Sequence, residues 1–131
     1  MNVIRWIACA PAAVLSGLLV GTLISLASWL LFASVYHTAP GPAPVWVHLV
    51  SGICYGITAV LIAYVLAPTR HWFVALAIGV ASVLFVLPAL FASPWGTLAN
   101  QPNVDGVGGV ALGVMLGWAL LAAMRVRRSA T

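Results

Sequence analysis

Residues 45–66 read VWVHLVSGICYGITAVLIAYVL, a run without one charged side chain. Coiled as an α-helix at roughly 1.5 Å per residue, the run is about 33 Å long. That length matches the roughly 30 Å hydrocarbon core of a bilayer. Turn chemistry bounds it on both sides. Before it, His37-Thr38-Ala39-Pro40-Gly41-Pro42-Ala43-Pro44 is too rich in proline and glycine to be helical. Pro44 suits the first position of the helix that follows. After it, Ala67-Pro68-Thr69-Arg70 reads as a tight connection.

Three further apolar runs have similar length, at about 11–33, 72–91 and 106–124, with residues 3–10 as a lead-in to the first. Strands of about ten alternating residues, as a membrane β-barrel needs, are not seen. In lipid the remaining solution is the helix, which satisfies its own backbone. The expected fold is all-α: a single four-transmembrane-helix bundle. Pro88 is placed to kink or end the third helix, and Asn103 or Asp105 to cap the fourth.

Composition agrees. The chain of 131 residues is 64% hydrophobic and 5% charged, whereas soluble domains are nearer a quarter charged. The first apolar run is too long for the roughly 7–15 residues of a signal-peptide core, so it reads as a retained helix. Its five basic residues are all arginine: Arg5, Arg70, Arg125, Arg127 and Arg128. The net charge of +4 does not point to nucleic acid, because these arginines stand at the ends of apolar runs. Four spans put all five on one face, and the loops 34–44 and 93–105 on the other face have none. The positive-inside rule then gives an N-in, C-in orientation, with the termini in the cytoplasm. Abundant Ala, Val, Gly and Arg without Lys suggests a bacterial inner membrane. Trp6, Trp72 and Trp118 toward one face, with Trp46 and Trp95 at the other, read as interfacial anchors. Trp29 falls about a turn inside the outer end.

Lipid tails are as apolar as leucine, so close backbone approach must hold such helices together. Helix four carries Gly109, Gly113 and Gly117 at a spacing of four, and helix one carries Ala13, Gly17, Gly21 and Ser25. Helix two has Gly52 and Gly56, then Ala59, Ala63 and Ala67; helix three has Ala75 and Gly79. These stripes pack either the bundle itself or a partner, and if one of them meets a partner, the stripe of helix four is the first candidate.

Candidate chemistry is sparse. Cys9 and Cys54 fall at different depths, which argues against a disulfide. His37, His48 and Asp105 share the outer side and are weak candidates for a divalent metal, since no two have a helical i, i+3 or i, i+4 spacing. No catalytic set, nucleophile elbow or phosphate loop occurs, and no cofactor is expected. His71 beside Arg70 is placed to meet lipid headgroups. The expected function is a non-enzymatic accessory or assembly subunit, partnered by lipid and by other membrane subunits or copies of itself. The alternative is a small oligomeric transporter or channel for a neutral or apolar solute, with Ser51, Tyr55 and Thr58 along its path.

Overall fold

The structure, a computed structural model, describes residues 2–36, 45–67, 70–90 and 104–129. These form four helices: α1 (Asn2–Tyr36), α2 (Val45–Leu66), α3 (His71–Val86) and α4 (Val104–Ser129), with a short 3-10 turn (Leu87–Leu90) after α3. No strand occurs among the described residues. Three helices hold stretches long and apolar enough to cross a membrane: Ile7–Leu31, Trp46–Leu66 and Asp105–Arg127.

Helix four runs five residues past the expected 124, and two other boundaries that differ from the sequence reading involve proline. Helix one does not begin near Pro11 but passes through it, back to Asn2. Proline there removes only the bond to the carbonyl of Ile7, a loss that a long apolar helix tolerates. Helix three does not run unbroken to residue 91. The Leu87 N–H makes a last bond to the Val83 carbonyl, and the chain then tightens into the 3-10 turn. Pro88 has no N–H to offer Leu84, and its ring crowds that carbonyl. At 16 residues α3 is the short helix of the four, about 24 Å long.

Arg70 makes the turn from α2 into α3 in the left-handed conformation, at φ 51°. It is the chain's one non-glycine residue with positive φ among those described, a geometry costing about 1–2 kcal/mol. Its carbonyl accepts from the Val74 N–H at 3.2 Å.

α2 is the hub and packs on the other three helices, most extensively on α4 and α1. α3 lies against α2 and α4 and only slightly against α1, and Cys9, Ala67, Val74 and Ile78 form a small cluster across these helices. α1 and α4 do not pack on each other. Small residues dominate the interior: Ala13, Val47, Ala59, Val60, Ala63 and Ala75 are all fully buried, with Tyr55 and Leu121 the large side chains among them. Most large side chains face outward, among them Ile4, Leu19, Leu31, Val65, Phe73, Phe85 and Met115.

Candidate functional site

The glycine stripes decide how the helices sit. A Cβ at Gly52 would lie 2.6 Å from the Gly106 carbonyl oxygen, and one at Gly56 would lie 2.6 Å from both the Val110 oxygen and the Val114 nitrogen. Reciprocally, a Cβ at Gly109 would collide with the Leu49 carbonyl, and one at Gly113 with the Ile53 carbonyl. Gly117 completes the seam over Val60. The two backbones are therefore in direct contact, where dispersion and Cα–H···O contacts accumulate. The stripe of helix four thus faces α2 within the chain, the intramolecular one of the two packings open from the sequence.

The stripe of α1 also faces α2. Gly17 receives the ring of Tyr55, whose Cδ2 would be 2.9 Å from an added Cβ, and Gly21 lies against the Ser51 carbonyl. The Cys9 thiol donates to the Ala63 carbonyl at 3.6 Å. Cys9 and Cys54 are both free. On the third seam the indole N–H of Trp118 donates to the Ala75 carbonyl at 3.3 Å, and the ring covers Gly79. Trp118 is therefore a packing residue, a role the reading of it as an interfacial anchor did not include.

Because α1 and α4 are held apart by α2, a groove of about 530 Å³ remains between them. Leu18, Thr22, Ser25 and Trp29 form its α1 wall, His48, Ser51 and Tyr55 its floor, and Val107 part of its α4 wall. Its polar groups are partly committed already. Thr22 Oγ1 donates to the Leu18 carbonyl at 2.7 Å, and Ser51 Oγ to the His48 carbonyl at 3.1 Å. Tyr55 is 4% exposed and its hydroxyl has no partner. The Ser82 hydroxyl on α3, fully buried, also has none.

A second cavity, of about 540 Å³, opens at the opposite end of the bundle. Tyr64, Arg70, His71 and Trp72 line it from the α2–α3 turn, and Leu121, Met124 and Arg125 line it from α4. His71 Nδ1 lies 2.7 Å from the Tyr64 carbonyl oxygen. A carbonyl only accepts, so Nδ1 carries the hydrogen. The sequence placed Arg70 and His71 together at a headgroup level but did not bring Arg125 to them. That meeting depends on α4 returning beside the turn, which no local pattern encodes.

Of the three metal candidates, His37 lies outside the described residues. His48 is half-buried in the groove, and Asp105 stands in the first turn of α4, where its charge complements the positive end of the helix. Among the described residues no three His, Cys, Asp or Glu side chains come together. Thr58 is half-buried on α2 and is not part of the groove lining. No protein-family model, curated protein or solved structure matches this chain.

Proposed function

We propose that the protein is a four-span, non-enzymatic accessory subunit of a bacterial inner-membrane complex, with both termini cytoplasmic. In this reading it holds a transmembrane helix of its partner in the groove between α1 and α4. The observation that carries it is the form of the groove. Its α1 wall advances from Leu18 through Thr22 and Ser25 to Trp29, a single helical face about 16 Å long. Such a ridge is what another helix packs into. The outward-facing large side chains support a lipid surround, and the arginine bias supports the orientation.

Thr22→Trp fills the groove from an exposed position on α1. After gentle detergent extraction from native membranes, the wild-type chain is expected in an assembly larger than its 13.6 kDa mass. The Thr22→Trp chain is expected to be folded but released. A wild-type monomer that stays folded sinks the reading. Reporter fusions at each terminus test the orientation separately.

The second reading is a path for a small neutral solute, and the polar residues His48, Ser51 and Tyr55 on the groove floor favour it. It requires flux in proteoliposomes that Tyr55→Phe abolishes, whereas the subunit reading requires no flux.

A further inference from the structure

The chain has one acidic residue, and it stands at the opposite end of α4 from Arg125. Asp105 stands in the first turn of α4, and Arg125 lies 20 residues further along, about 30 Å away. Neither Arg70 nor Arg125 has a carboxylate to pair with among the described residues, yet the two line one cavity. Guanidinium groups so placed are donors for an anion, and their planar forks match phosphate oxygens.

The rest of the cavity suits the same ligand. α3 begins at its mouth, where the positive end of the helix favours an anion, and Arg70 makes no side-chain cap bond to it. Because His71 Nδ1–H is committed to the Tyr64 carbonyl, Nε2 is left as an acceptor, suited to a headgroup hydroxyl beside the phosphate and not to the phosphate itself. Trp72 supplies an amphipathic ring of the type found at headgroup level. Leu121, Met124 and Phe73 make the remaining lining apolar, where a glycerol backbone and the start of an acyl chain would pack.

We propose that this cavity, built by Arg70, His71, Trp72 and Arg125, binds a phosphate group, supplied by the headgroup of an anionic phospholipid. The lipid as source rests on the membrane reading above. Phosphate recognition by the two guanidiniums does not.

The test uses the full chain purified in a neutral detergent and followed by native mass spectrometry and thermal unfolding. It is offered phosphatidylglycerol, phosphatidylcholine or sodium phosphate. The wild-type chain is expected to retain phosphatidylglycerol over phosphatidylcholine, and Arg125→Gln to lower that retention about tenfold, the loss of one charge-assisted contact. Arg127→Gln, an exposed arginine outside the cavity, is expected to leave retention unchanged. Arg70→Gln/Arg125→Gln is expected to abolish the preference and Arg70→Lys/Arg125→Lys to keep part of it. The single Arg125 variant carries the test if the double Gln variant does not fold.

Stabilisation by sodium phosphate that needs Arg125, without lipid discrimination, supports the phosphate site and assigns it to a soluble ligand. Equal retention of both lipids with no phosphate effect overturns the proposal. So does an Arg127→Gln loss as large as that of Arg125→Gln. Recovery of the chain in the aqueous fraction removes the membrane reading but leaves the phosphate arm decisive.

Discussion

Gly113 of α4 rests on the backbone of Ile53 of α2, so closely that a single methyl at Gly113 would overlap the Ile53 carbonyl oxygen. A carbonyl cannot rotate away as a side chain can, so the helices must separate to admit it. Gly113→Ala is expected to destabilise the protein by about 1–3 kcal/mol, the usual penalty of overpacking. Gly108, one helical position before the seam, has nothing within 4 Å of an added Cβ. Gly108→Ala is therefore expected to be neutral or stabilising by up to about 1 kcal/mol, through helix propensity alone. Unfolding of the two variants in matched detergent checks the contrast. Equal effects would mean that α2 and α4 are not in backbone contact.

The buried hydroxyl of Ser82 has no hydrogen-bond partner, although serine in a helix usually bonds a carbonyl one turn back. An unsatisfied buried group carries a desolvation penalty of about 1–3 kcal/mol. Ser82→Ala removes that penalty at almost constant volume and is expected to raise stability by about 1 kcal/mol. A clear loss of stability would reveal a partner for the hydroxyl. Tyr55→Phe is expected to behave alike while leaving the ring over Gly17.

Residues 45–66 are legible in sequence to the residue, because proline-rich and Ala-Pro turns flank an uncharged run. Pro11 and Pro88 mislead in opposite ways. The first is absorbed within a 35-residue helix, whereas the second, two residues past the end of α3, sits where the helix type changes. Glycine spacing is visible on every helix, but which stripes pair is not. Gly56 faces Gly113 because of how the chain returns, a fact carried by tertiary packing alone. His48, Ser51 and Tyr55 stand out in sequence as polar positions on α2. The opposing wall at Thr22 and Ser25 does not, because hydroxyls on a helix ordinarily bond their own backbone. The cavity shared by Arg70 and Arg125 is similarly hidden, since each arginine read alone is a topology signal.

Gly79 and Trp118 form a coupled pair. A Cβ at Gly79 would lie 2.8 Å from the indole Cζ2 and 2.8 Å from a Val114 methyl. Gly79→Ala is expected to destabilise the wild-type chain, and to do so less where Trp118→Leu has withdrawn the ring. A double-mutant cycle should return a coupling of at least about 0.5 kcal/mol. Additive effects would place Trp118 outside the seam, with its indole at the lipid surface.

Pro88 determines where α3 stops. It is exposed, so its replacement disturbs no core packing, and the Leu84 carbonyl is the backbone acceptor it leaves without an α-helical donor. Pro88→Ala restores that donor and relieves the crowding of the ring against the preceding turn. α3 is then expected to continue as an α-helix through Leu87–Leu90 in place of the 3-10 turn. Amide exchange at residues 88–90 should slow, and helical content should rise by about one turn. A break caused by proline alone would vanish in this variant. One that persists with unchanged exchange would show that packing of the turn against α4, and not the missing N–H, ends the helix.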